Sequence, residues 1–187
     1  MSRRPRNEYE AGVHHVYARG NGRQTIYLDE SDRQAYLAML ARVSRKMRWR
    51  CLSYCLMTNH VHLLVETREP NLGAGIHRLH GPYAQRFNRR HGRTGHLFEH
   101  RFGAVRASSD AQVWMTAAYI ARNPVDARLC RSAADWPWSS HRAVLAGCPP
   151  DWLDAKRLFS FFDPAGGDPR VRYAELVDAL VQRAIQA

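Results

Sequence analysis

His60 and His62 stand two apart in the run Leu56-Met57-Thr58-Asn59-His60-Val61-His62-Leu63-Leu64-Val65. On a β-strand, where side chains alternate and the chain rises roughly 3.3 Å per residue, that spacing puts both imidazoles on one face while Val61 points the other way. Two adjacent imidazoles can chelate one metal ion and leave coordination positions open. An isolated His-x-His also arises in strands with no chemical role, so its weight depends on the groups around it.

The sequence Tyr119-Ile120-Ala121-Arg122-Asn123-Pro124-Val125 supplies such groups. On a helix, Tyr119 and Asn123 share a face with Cβ atoms about 5–6 Å apart. A phenol and a carboxamide oxygen can then reach the same site. Two imidazoles plus an oxygen ligand suit Mg²⁺ or Mn²⁺ acting on a phosphoryl oxygen, with Zn²⁺ less apt. A tyrosine attacking a phosphodiester forms a phosphotyrosine and conserves the bond energy for rejoining without ATP. Eight tyrosines compete for the role. Tyr83 is the main rival, although its spacing with Leu79 and Phe87 assigns it to packing or base stacking. Pro124 predicts that Asn123 lies in a frayed last helical turn. Hydrolysis by water is disfavoured, because Glu66, at the far end, is the only carboxylate on the His60 strand.

The formal charge of +11 points to a polyanionic partner, nucleic acid first, since cations that neutralise phosphates release counterions. Nearly all of the excess is arginine, the better group for bidentate phosphate contacts and for stacking on bases. From His77 to Arg106, Arg78, Arg86, Arg89, Arg90, Arg93, Arg101 and Arg106 face a single acid, Glu99. This stretch reads as a basic loop for DNA, with Tyr83, Phe87, Phe98 and Phe102 as stacking groups. Cys51, Cys55, Cys130 and Cys148 lack metal-site spacing and read as reduced thiols. The basic N-terminus Met1–Glu8 leads into no apolar run, and no stretch is long enough to span a bilayer, so a cytoplasmic, nucleoid-associated location is expected.

At 187 residues and 45% hydrophobic content, one main domain with its own core is expected. Alternation over residues 12–19 predicts a first strand ending at Gly20-Asn21-Gly22. A capping box at Ser31-Asp32-Arg33-Gln34 opens a first helix with Tyr36, Leu37, Leu40, Val43 and Met47 inward. Residues 49–57 and 60–66 form a hairpin across Thr58-Asn59. Leu72, Ile76, Leu79, Tyr83 and Phe87 mark a second helix that Gly81-Pro82 should kink or interrupt. A strand over 102–107 and a helix from Ser109-Asp110 to near Pro124 follow. The order β-α-β-β-α-β-α fits an α+β, ferredoxin-like antiparallel sheet with helices on one face. A short helix near 141–146 comes next. Residues 149–187 read as a small helical C-terminal appendage whose positions Leu176, Val177, Leu180, Val181 and Ala184 pack on the core.

These segments together resemble the single-tyrosine HUH transposases, particularly the REP-associated tyrosine transposases. The resemblance runs from His15-Val16 and Arg19-Gly20-Asn21 through Tyr54-Cys55-Leu56-Met57-Thr58-Asn59-His60-Val61-His62-Leu63-Leu64 to Gly95-His96-Leu97-Phe98 and Arg101-Phe102. Tyr119-Ile120, Asn123-Pro124-Val125 and Trp136-Pro137-Trp138-Ser139-Ser140 follow in the family's order. It implies an HUH endonuclease core within residues 1–148. His60, His62 and Asn123 would bind a divalent metal, and Tyr119 would cut single-stranded DNA to a 5′-phosphotyrosine and a free 3′-hydroxyl. It also implies hairpin-forming repeats as substrate and action as a monomer, with a homodimer as in related insertion-sequence enzymes the alternative. Glu99-His100 replaces the Gln-Gly common in relatives, a change that alters DNA contacts or adds a histidine near the site. A non-catalytic DNA or RNA hairpin-binding regulator is the competing function.

Overall fold

The computed structural model describes residues 9–162 and 167–185, with side chains described as far as residue 180. The basic segment Met1–Glu8 and the side chains of Val181 and Ala184 lie outside the described residues. Four strands, β1 (Gly12–Arg19), β2 (Arg50–Leu56), β3 (His60–Thr67) and β4 (Gly103–Arg106), form one sheet in the order β2-β3-β1-β4. Every neighbouring pair is antiparallel. The order matches the ferredoxin-like arrangement expected from the sequence, and the hairpin turns at Thr58-Asn59 as expected. Among the described residues, no helix is long and apolar enough to cross a membrane.

The cap of helix α1 (Glu30–Met47) lies two residues before the expected one. Asp29, not Ser31, is its N-cap, accepting a hydrogen bond from the Asp32 amide at 3.0 Å, while Asp32 Oδ2 accepts from the Leu28 amide at 3.0 Å. A carboxylate at the cap satisfies an otherwise unpaired amide of the first turn, which explains the earlier start. Asp32 is buried, and Arg90 donates to it at 2.7 Å from the end of α2 (Leu72–Arg90). The second helix runs unbroken through Pro82, where a kink or an interruption was expected. Leu72, Ile76, Leu79, Tyr83 and Phe87 are buried along it, and that continuous apolar face outweighs one missing backbone donor.

Helix α3 (Asp110–Asp126) is capped by Ser109, whose side chain accepts from the Gln112 amide at 3.2 Å. It ends at Asp126, near Pro124 as expected, and the carbonyls of Asn123 and Pro124 accept from Ala127 and Leu129 at 3.0 and 2.8 Å. Three alanines, Ala117, Ala118 and Ala121, are buried on it beside Val113 and Ile120. Small residues let the helix lie close over β2 and β3. Three further helices follow: α4 (His141–Leu145), α5 (Ala155–Phe159) and α6 (Pro169–Ile185).

The C-terminal segment shares the core of the sheet. Leu153 bridges to Cys51 of β2, and the Asp154 amide donates to the Cys51 carbonyl at 2.8 Å. Arg157 on α5 pairs with Glu66 of β3 at 2.7 Å. Along α6, the hydroxyl of buried Tyr173 donates to the Ala117 carbonyl at 3.3 Å, and Arg122 Nη1 donates to the Leu180 carbonyl at 2.8 Å. Leu158, Tyr173 and Val177 belong to the same apolar cluster as the strands. Burying each large apolar side chain stabilises by roughly 1.5–3 kcal/mol, so this segment contributes directly to the fold. The strip 136–140 also borders β2: Leu56 donates to the Trp138 carbonyl at 2.9 Å and Ser140 to the Tyr54 carbonyl at 3.0 Å.

Candidate active site

The start of β3 is held by the loop after β1. Gly20 donates to the Asn59 carbonyl at 2.8 Å, and Asn59 Nδ2 donates to the Arg23 carbonyl at 3.0 Å. With its NH₂ so used, Asn59 presents Oδ1 to His60 Nδ1 at 2.8 Å. An amide oxygen only accepts, so His60 carries its proton on Nδ1 and leaves the Nε2 lone pair free. Gly20 is required here for space. Its φ is an ordinary −64°, but a Cβ would lie 2.0 Å from the Gln24 carbonyl oxygen.

Antiparallel pairing brings β1 alongside. His15 and Tyr17 flank His62, whose Nδ1 lies 2.9 Å from His15 Nε2, with the two rings stacked at 5.1 Å. His62 therefore has one ring nitrogen occupied by a partner and the other available, as His60 does. This is the pattern of imidazoles that ligate metals, where the second nitrogen is fixed by an outer partner. Burial, reinforced by the neighbouring His15, His60 and Arg19, lowers the His62 pKa to about 3. Burial alone lowers His15 to about 4, while burial and then Arg19 lower His60. All three rings are thus neutral near pH 7, the form that offers a lone pair.

Helix α3 delivers the remaining groups. Asn123 is buried within the helix, not frayed at its end, and its Nδ2 donates to the Tyr119 carbonyl at 2.6 Å. That bond turns its carboxamide toward His60 and His62, which it can hydrogen-bond. The Tyr119 ring stands edge-on to His62 at 5.6 Å and to His15 at 5.8 Å, with the side chain 43% exposed. His60, His62, Tyr119 and Asn123 line one cleft of about 480 Å³ together with His15, Tyr17, Arg19 and Asp126. Among the described residues, no group of three or more His, Cys, Asp or Glu side chains is placed to hold a metal. An ion at the His60–His62 pair would therefore take oxygen from Asn123 and its other ligands from substrate or water. The neutral, half-occupied imidazoles and the oriented amide fit such an ion.

Sequence reasoning named four of these residues and missed His15, Tyr17, Arg19 and Asp126 as members of the site. The alternation of β1 already placed Val13, His15 and Tyr17 on one face. What it lacked was the register that sets this face beside His62.

The arginines spread over α2 and the connection to β4, where a loop was expected. Arg78, Arg86, Arg89 and Arg90 are on α2, Arg93 and Arg101 follow it, and Arg106 ends β4. Arg78, Arg86, Arg89 and Arg101 are exposed and have no ion-pair partner among the described residues. Arg93 bonds to Gln24. Arg90 clamps Asp29 and Asp32, and Arg106 pairs with Glu10 at 2.7 Å. The expected stacking groups are engaged elsewhere. Tyr83 and Phe87 are core residues, Phe98 stacks on His80 at 4.4 Å, and Phe102 packs near Tyr9. An Arg-rich helix still buries one face, and Tyr83, Phe87 and Phe98 lie on or against it. His100 is exposed and does not line the cleft. The cysteines are free thiols, with Cys148 exposed.

A family model described as "Transposase IS200 like" matches residues 8–123, a span that includes both histidines, Tyr119 and Asn123. The chain belongs to that family. The IS200-like transposase also shares its fold with a solved REP-associated tyrosine transposase bound to a REP hairpin. The two are 21% identical, with a TM-score of 0.65, over 83% of this chain and 93% of that one. A solved structure of a candidate transposase from Deinococcus radiodurans R1 aligns at 16% identity and a TM-score of 0.44, over 59% of this chain and 90% of that one. Among curated proteins, none matches the IS200-like transposase.

Proposed function

We propose that this transposase cuts and rejoins single-stranded DNA at hairpin-forming repeats, with Tyr119 as nucleophile and a divalent ion, Mg²⁺ or Mn²⁺, at His60, His62 and Asn123. The observation that carries this reading is the placement of an exposed tyrosine in the same cleft as two neutral imidazoles and the Asn123 carboxamide. Tyr119 Oη attacks phosphorus and the bond from phosphorus to the 3′ oxygen breaks. The phenol gives up its proton and the leaving oxygen takes one up as a 3′-hydroxyl, while the phosphate keeps its bond to the 5′ oxygen and is newly esterified to Tyr119. Attack by a 3′-hydroxyl reverses the step and frees the tyrosine, so the ester bond is exchanged and no cosubstrate is consumed. When bound, the ion supplies positive charge to the phosphoryl oxygens.

The chain's own groups do the rest. Asn59 and His15 hold the two imidazoles, and Asn123 joins the nucleophile's helix to the histidine face. Arg78, Arg86, Arg89 and Arg101, with Arg93 and Arg106 nearby, are the phosphate contacts for the hairpin, while Arg90 serves the fold. That Tyr119 meets His62 of its own chain favours action as a monomer. The hairpin bound to the structurally similar transposase supports hairpin DNA as the partner.

The test is to incubate the protein with labelled hairpin oligonucleotides from repeats flanking its gene, in Mn²⁺, Mg²⁺ or EDTA. A protein-DNA adduct that survives denaturant, needs metal and vanishes in Tyr119→Phe is the expected result. Tight hairpin binding without adduct would establish a binding role instead, and cleavage without adduct would identify water as the nucleophile.

A further inference from the structure

Apart from Tyr119, Tyr17 is the only Phe, Tyr or Trp among the described residues that is left exposed, at 45%. It stands on the face of β1 that carries His15, opposite His62 in β3 and Gly103 in β4. A Cβ at Gly103 would lie 2.3 Å from Tyr17 Cζ and 2.6 Å from its hydroxyl, so the ring rests across the bare backbone of β4. Val105, the residue paired with His15, is 50% exposed on the same face. Helix α3 packs over β2 and β3, and beside it Tyr17 and Val105 stay exposed on the β1–β4 side of the face. Arg19, two residues beyond Tyr17, is exposed in the same cleft.

An aromatic ring supported from beneath on an antiparallel sheet, with a cation alongside, is the arrangement on which single-stranded nucleic acid lays its bases. We infer that Tyr17 is a stacking platform for a nucleobase of the single strand next to the bond that is cut, with Arg19 meeting the adjoining phosphate. The inference rests on the reading that single-stranded DNA enters this cleft. Gly103 is the complementary half of the device. Any larger residue there would lift the ring off the sheet. Stacking tolerates every base, so Tyr17 contributes affinity and positions the strand while sequence is read elsewhere.

The test uses the full chain and two probes of equal length and charge, oligothymidine and an oligomer of abasic sites, with binding followed by anisotropy. The protein should prefer oligothymidine by at least about fivefold. Tyr17→Leu, which still covers Gly103 but cannot stack, should erase the preference, and Tyr17→Trp should restore it. Equal binding of the two probes by the unsubstituted protein, or a preference that survives Tyr17→Leu, would overturn the inference. Photocrosslinking of the unsubstituted protein to 5-iododeoxyuridine gives a check that needs no variant: the crosslink is expected on Tyr17, and crosslinks confined to other residues would refute it. Neither probe requires cleavage, so absence of a Tyr119 adduct would end the nicking proposal without touching this one.

Discussion

His15 and His62 are 47 positions apart in sequence and joined ring to ring, with His15 Nε2 lying 2.9 Å from His62 Nδ1. One strand thereby sets the orientation of a side chain on the next. A neutral imidazole has one donor and one acceptor nitrogen, so whatever His15 does at Nδ1 of His62 decides what His62 can offer at Nε2.

His15→Ala should therefore weaken Mn²⁺ binding about 10- to 100-fold, the usual cost of losing an outer partner of a ligating histidine. His15→Gln, which can still hydrogen-bond, should recover part of that. Calorimetric titration of the metal-free protein with Mn²⁺ reads both, and equal affinity in His15→Ala would remove His15 from the site.

Gly20→Ala is expected to destabilise by about 1–3 kcal/mol, because its Cβ would meet the Gln24 carbonyl oxygen at 2.0 Å and Ile26 Cγ2 at 2.8 Å. The loop that grips Asn59 must move, so the loss of metal affinity should accompany the loss in urea midpoint. A Gly20→Ala protein of unchanged midpoint would contradict this packing.

His141 should make the fold acid-sensitive. It is buried against Tyr173, its Nδ1 has no hydrogen-bond partner, and burial lowers its pKa from 6.5 to about 4. Between those values the unfolded chain holds the proton and the folded chain does not. The stability contributed by the neutral ring is complete above pH 6.5 and falls as pH drops toward 4, by up to about 3 kcal/mol. In His141→Phe the urea midpoint should fall less steeply over that window, and identical slopes would rule His141 out.

Leu158→Ala tests whether the C-terminal segment belongs to the core. Leu158 is fully buried, and the substitution should cost about 2–5 kcal/mol in a single unfolding transition seen alike by tryptophan fluorescence and far-ultraviolet circular dichroism. Two separate transitions would mean that residues after 148 unfold on their own.

Much of the architecture was legible in local signals. Alternation defined β1 to the residue, Thr58-Asn59 marked the hairpin, and helical spacing found the inward faces of α1 and α2. What escaped were relations between distant segments. Pairing of β1 with β3 brings His15 and Tyr17 into the cleft, and no local pattern encodes that register. At Pro82 the missing backbone donor costs less than the apolar face that continues through it, so α2 is not interrupted there. In the Arg-rich stretch, charge and aromatic content suggested free DNA contacts, but Arg90 is held by two carboxylates and Tyr83 and Phe87 face inward. At the site, His60, His62, Tyr119 and Asn123 were visible because their spacings lie within single elements, and the groups that orient them were not.

The hydrogen bonds along β2 bear on how copies of this chain can meet. As an outer strand, β2 would normally present a row of free amides and carbonyls to any extended peptide. Here Trp138 and Ser140 occupy its far end and Asp154 its near end. The other border, β4, is four residues long and finishes in Arg106. Neither side gives a second molecule a long strand to zip onto, so the protein is guarded against edge-to-edge aggregation even while it leaves Tyr17 and Val105 bare on one sheet face.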